Sequence, residues 1–189
     1  MPWLLLFWGG VQLRHQQAEL DTRADAFFAQ FPTYAKNNSA QQVDRMGAEL
    51  GFSPDDLNSL TRPVDETAQL AYGAIEASLI DFLQAQTAQS SAQLAALPPE
   101  LSAYLADQQG SLIAIQTHLL QQEAPQWTLE FERMFDVDYA FPSFVNVFGI
   151  QKLLLLSVID KAQSGKDAEA LLTLEASWRL NQRSRSIQI

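Results

Sequence analysis

The sequence predicts an all-α protein, an irregular helical bundle of about six to eight helices joined in antiparallel hairpins. Three observations predict it. Apolar residues recur at intervals of three, four and seven through most of the chain. Helix-ending and helix-starting residues, among them Pro32, Gly51, Pro98, Pro99, Gly110, Pro125 and Gly165, punctuate it at helix length. The alternation that marks strands is confined to one stretch. With 189 residues, 47% of them hydrophobic and 18% charged, one domain can bury enough apolar surface to offset the entropy of ordering. Residues 14–189 therefore read as a single helical domain, preceded by an apolar segment at 1–13.

From Val11 onward, Leu13, Leu20, Ala24, Phe27, Phe28 and Phe31 share one face of an amphipathic helix that ends near Pro32. The next helix begins in NNSAQQVDRMGAELG. Ser39 is expected to cap it, Ala40, Val43, Met46, Ala48 and Leu50 supply its apolar contacts, and Gly51 takes the left-handed position that closes it. SPDDL starts another turn, with Ser53 as cap, Pro54 at the first helical position, and Asp55 and Asp56 at the positive end of the dipole. The longest uninterrupted pattern, PVDETAQLAYGAIEASLIDFLQAQTAQ, predicts a helix of about 25 residues. Its buried stripe is expected to run through Leu70, Ala74, Ala77, Ile80 or Asp81, and Leu83 or Gln84.

PPELSAYLADQQG predicts a short helix closed by Gly110, and SLIAIQTHLLQQEAP a further one from Ser111 to a stop before Pro125. A strongly apolar helix is expected from Ser143 to about Ser164. Its stretch FVNVFGIQKLLLLSVI is interrupted by Asn146, Gln151 and Lys152 and falls short of the roughly twenty residues a bilayer requires, so it reads as the core helix on which the bundle is organised. SGKD makes a turn, and DAEALLTLEASWRLNQ forms the last helix with Asp167 as its cap.

QWTLEFERMFDVDYAF fits two conformations. Trp127, Leu129, Phe131, Phe135, Val137, Tyr139 and Phe141 fall on alternate positions, as in an extended strand, whereas Trp127, Phe131, Met134 and Phe135 also share a helical face. A lone strand has no partner elsewhere in the chain, so a short helix to about Phe135 followed by an extended apolar connection is the more economical of the two.

Composition excludes several functions. Twelve basic against 22 acidic residues give a formal charge of -10, so a nucleic acid meets net repulsion, and the dispersed Arg and Lys form no patch for anionic lipid. The absence of cysteine removes disulfides, thiolate nucleophiles and cysteine-held metal together. No Gly-rich phosphate loop, GxSxG elbow or HExxH pair is present, and no cofactor is indicated. His15 and His118 are far apart, and the Glu19 that follows His15 by four residues reads as an ordinary helical surface neighbour, so no metal site is expected. Glu130, Glu132, Asp136 and Asp138 lie among bulky aromatics, where burial can raise a carboxyl pKa for acid–base chemistry. They fit equally the solvent side of an amphipathic segment.

The opening MPWLLLFWGG places Trp3, Leu4, Leu5, Leu6, Phe7 and Trp8 in one uncharged run. A helix over residues 2–13 rises only about 18 Å against a hydrocarbon core of about 30 Å. The run also lacks the basic lead and small-residue cleavage site of a signal peptide. It reads best as the outer end of a membrane anchor, with Trp3 and Trp8 at the interface. Packing into the domain's own core and lying flat in the interface are the alternatives.

In IDKAQSGKDAEALLTLEASW the spacing of Gly165 and Ala170 resembles the turn of a tetratricopeptide repeat, where small residues allow close helix contact. More broadly, NNSAQQVDRMGAELG, the PQW segment, FPSFVNVFGIQKLLLLSVIDKAQSGKDAEALLTLEASWRLNQ and the apolar start together resemble a loose class of uncharacterised bacterial proteins. In these a single N-terminal span carries a helical domain outside the cytoplasm. The resemblance implies membrane anchoring and a periplasmic location, and it supplies no catalytic residue. The function expected is a non-enzymatic helical interaction or scaffolding domain for an unknown protein partner, with Trp127, Phe131, Phe135 and Tyr139 as contact residues. Two alternatives stand beside it: a binder of an apolar small molecule or lipid in a cavity lined by the same aromatics, and an enzyme using the acids of 130–138.

Overall fold

The structure, a computed structural model, describes residues 19–20, 22–27, 35–52, 64–88, 94–128 and 145–182. The chain divides into two compact units, Met1–Tyr34 with Thr128–Phe141, and Ala35–Trp127 with Pro142–Ile189. In the first, residues 19–20 and 22–27 are helical, as the periodicity predicts, and Leu20, Ala24 and Phe27 of the expected face are exposed. Glu19 accepts a hydrogen bond from Arg23, one turn on, at 2.8 Å.

The second unit holds six described helices: α1 (Asn38–Glu49), α2 (Glu66–Ala88), α3 (Pro99–Asp107), α4 (Gln109–Gln121), α5 (Val145–Gln163) and α6 (Asp167–Asn181). Among the described residues there is no strand, and the fold is the all-α bundle the sequence predicts.

α1 is capped two residues before the expected Ser39. Asn37 caps it, its Oδ1 accepting from Ala40 N at 2.9 Å, while Ser39 turns inward and lies 2.9 Å from His118 Nε2. Asn37 is fixed there because the same Oδ1 accepts from Gln126 N and its Nδ2 donates to Ala124 O, which ties the start of α1 to the chain after α4. At its end the helix closes as predicted. Gly51 has φ 86°, and Phe52 N and Gly51 N bond back to Gly47 O and Ala48 O. A Cβ at Gly51 would sit 2.3 Å from Gln69 N, so both conformation and space require glycine.

α2 is capped by Asp65, whose Oδ1 accepts from Thr67 N and Ala68 N. Its buried stripe is Ala68, Tyr72, Ile75, Leu79 and Phe82. The expected stripe is therefore displaced around the helix: Leu70 is 77% exposed, Ala74, Ala77, Asp81 and Gln84 are exposed, and Ile80 and Leu83 are half-buried. Apolar residues stand on every side of this helix, so periodicity alone leaves its phase undetermined.

Gly110 does not close α3, and α4 starts at Gln109 rather than Ser111. α3 ends at Asp107; Gln108, its cap, is in a right-handed conformation with its N–H bonded to Tyr104 O, and α4 starts at the next residue. No left-handed residue is needed there, and Gly110 lies inside α4.

α5 is the central element. It contacts each of the other five helices, and Leu153, Leu154 and Leu156 are wholly buried. Small residues mark its crossing with α1: a Cβ on Gly149 would come within 2.5 Å of the Phe52 ring, and one on Gly47 within 3.1 Å of Ile150. The α5–α6 turn uses Gly165 at φ 71°, with Lys166 N bonded to Lys161 O and Gly165 N to Ala162 O. A Cβ at Gly165 meets nothing within 4 Å, so this glycine serves the turn rather than close helix contact; Ala170 is buried. Lys166, not Asp167, occupies the cap position of α6, and Asp167 joins Glu169 in the first turn, where the helix dipole favours acids. No helix of the described residues is long and apolar enough to cross a membrane.

Candidate functional site

Of the aromatic residues singled out by the sequence, Trp127 is described. It is half-buried against the core, and its Nε1 donates to Asp44 Oδ1 at 3.0 Å. Asp44 also forms an ion pair with Lys36. Trp127 thus latches the chain after α4 onto α1, with its polar tip already satisfied. Phe131, Phe135 and Tyr139, the acids Glu130, Glu132, Asp136 and Asp138, the opening residues Trp3 to Trp8, His15 and the SPDDL turn lie outside the described residues, as does the choice between helix and strand beyond Thr128. His118 braces α4 to α1 through the buried Ser39.

Among the described residues a cavity lies elsewhere, where α3, α4 and α5 meet the start of α6. Its volume is about 430 Å³, within the range of small-molecule sites. Leu105, Leu112, Ile113 and Leu154 form its apolar lining, and Ser102, Thr117 and Ser157 add hydroxyls. The charged groups are Asp160, Lys161, Lys166 and Glu169.

Lys161, in the last turn of α5, is the most constrained of these. Its Nζ donates to Thr173 Oγ1 at 2.8 Å and to Gln116 Oε1 at 3.1 Å, joining α5 to α6 and α4. Thr173 is fully buried, and its hydroxyl donates back to Glu169 O at 2.8 Å. Burial holds the Lys161 ammonium below the ordinary lysine pKa, and Lys166 adds to the effect, while Glu169 and Asp160 oppose it. Lys161 forms no ion pair among the described residues; both of its acceptors are neutral.

A second feature is the outer face of α6. Its inner face buries Ala170, Thr173, Ala176, Ser177 and Leu180. Outside, Leu171 is 67% exposed, Leu174 44% and Trp178 66%, with Leu172 beside them. These residues follow one another at three and four positions, so they form one continuous stripe. Arg179 closes its lower end, bonding Glu175 on one side and Leu120 O of α4 on the other. The stripe leaves no signal in the sequence because α6 is apolar on both faces, which erases the periodic contrast that separates inside from outside. The cavity leaves none because the lining residues come from four helices and carry no local motif.

No protein-family model, no curated protein and no solved structure matches the chain.

Proposed function

We propose that the chain is a non-enzymatic helical interaction domain whose docking face is the outer stripe of α6, and that residues 3–8 hold it at a membrane, on the extracytoplasmic side. The observation that carries the reading is the stripe Leu171, Leu174 and Trp178, large apolar side chains left in water at the spacing by which one helix recognises another. A side chain of this kind contributes about 1.5 to 3 kcal/mol when fully buried, so covering the three favours a helix–helix contact. Tryptophan is also the residue most enriched among interface hot spots. The partner expected is an amphipathic helix of another protein.

The test compares the full chain with the triple variant Leu171→Gln, Leu174→Gln, Trp178→Gln and with Leu70→Gln, which removes an equally exposed leucine from α2. In quantitative capture from membranes of the source cell, partners held by the wild type and by Leu70→Gln are expected to be lost from the triple variant, with helical content unchanged in all three. Identical capture by all three chains overturns the reading.

A further inference from the structure

The cavity at Lys161 goes beyond the interaction reading and is independent of the α6 stripe. A lysine ammonium has three N–H donors. Two are taken by Thr173 and Gln116, and the third has no acceptor among the described residues. The group is half-buried, lines a cavity, and is offset by no ion pair among the described residues. A cation in that state is stabilised by an anion that brings its own charge-assisted hydrogen bond.

The rest of the lining narrows the class of anion. Ile113, which is 49% exposed, and the largely buried Leu105 and Leu112 give the site an apolar side that suits a hydrocarbon and not a phosphate or sulfate alone. Asp160 and Glu169 also face the cavity, and they repel a second negative charge on the same ligand. The net charge of -10 on the whole chain acts at long range, where salt screens it within about 10 Å, so the local balance of Lys161 and Lys166 against Asp160 and Glu169 governs the site, and the lysine Nζ with a free N–H is where an anion gains a hydrogen bond. We propose that this cavity binds a small amphiphilic monocarboxylate, its carboxylate on Lys161 Nζ and its hydrocarbon chain against Ile113 and the neighbouring leucines of α3 and α4.

Decanoate, below its micellar concentration, is the probe. Titrated into the full chain and followed by amide NMR, it is expected to saturate a single site, with shifts centred on the residues that line the cavity. Decanol keeps the hydrocarbon and lacks the charge; sebacate carries a second carboxylate. Each is expected to bind at least tenfold more weakly than decanoate. Lys161→Met is expected to lose at least tenfold in decanoate affinity. Its fold is expected to survive, because the substitution removes a half-buried charge and leaves Thr173 and Gln116 within 3.1 Å of each other. Ile113→Glu provides an independent variant: the side chain is 49% exposed, so a glutamate there places a negative charge on the lining without entering the core. It too is expected to weaken decanoate at least tenfold. Decanoate binding that both variants leave unchanged overturns the proposal, as does decanol binding as tightly as decanoate, or no saturable binding at all.

Discussion

Tyr72 and Tyr104 place two phenol groups in the core between α2 and α3, and they make the fold sensitive to alkali. The Tyr72 ring meets Phe52 edge-on at 4.7 Å and Tyr104 at 6.4 Å. Its hydroxyl donates to Glu76 Oε1, whereas the Tyr104 hydroxyl has no hydrogen-bond partner among the described residues. Burial pushes the Tyr104 pKa up to about 12, with Tyr72 adding to the shift. Tyr72 is raised further still, by burial first and then by the charge and hydrogen bond of Glu76. Both phenols are thus held neutral in the fold, while in the unfolded chain they ionise near 10.0. Their contribution to stability is complete below that pH and is lost as pH rises through the folded values. Phenolate absorbance from these two residues is expected to appear together with loss of the helical circular dichroism signal, in one alkaline transition. Tyr104→Phe deletes a buried hydroxyl without a partner among the described residues, so the variant is expected to match or exceed the wild type in thermal melts, by up to about 1 kcal/mol. A loss of more than about 2 kcal/mol contradicts the assignment of Tyr104 as unsatisfied.

At the level of elements, α2 separates what the sequence specifies from what only packing decides. Leu79 is fully buried and Leu70 faces water, though both lie in the same apolar pattern. Leu79→Ala is expected to cost about 2 to 5 kcal/mol, and Leu70→Ala to stay within about 0.5 kcal/mol of the wild type. The reverse order would restore the stripe read from periodicity. α5 allows a similar comparison between neighbours. Leu156 is wholly buried and Leu155 half-buried, so Leu156→Asp is expected to abolish cooperative unfolding, while Leu155→Asp leaves a measurable transition at lower temperature. Equal melts for the two would show that α5 is not the packing centre. The features of these helices that were legible in the sequence are local ones: the glycine turns at 51 and 165, the length of α2, and the apolar excess of α5. Ser39 misleads as a cap because two polar residues compete at the start of α1, and His118, 79 positions away, draws the serine inward. Such a preference is set by tertiary contact and leaves no trace in local spacing.

Across the whole molecule, the Lys161 site illustrates the same limit, since Gln116, Lys161 and Thr173 meet only through the packing of α4, α5 and α6. The opening stretch is the opposite case, a signal carried entirely by consecutive residues, and it makes the last prediction. The core described above draws its buried side chains from residues 40–180. If residues 3–8 contact lipid, removing residues 1–10 leaves that core intact, and the melting temperature is expected to remain within about 2 °C of the full chain. The same deletion is expected to abolish association with liposomes, because two Trp, three Leu and one Phe form the apolar run that such association needs. Lipid charge identifies the force involved. A chain of net charge -10 is repelled by anionic vesicles, so binding through the apolar run should be stronger on zwitterionic vesicles and insensitive to salt there. If the run is instead packed within the protein, its loss removes several fully buried side chains at about 1.5 to 3 kcal/mol each, more than a typical domain has to lose. A large fall in melting temperature on truncation, together with no liposome binding by the intact chain, refutes the membrane contact and removes the main support for an extracytoplasmic location.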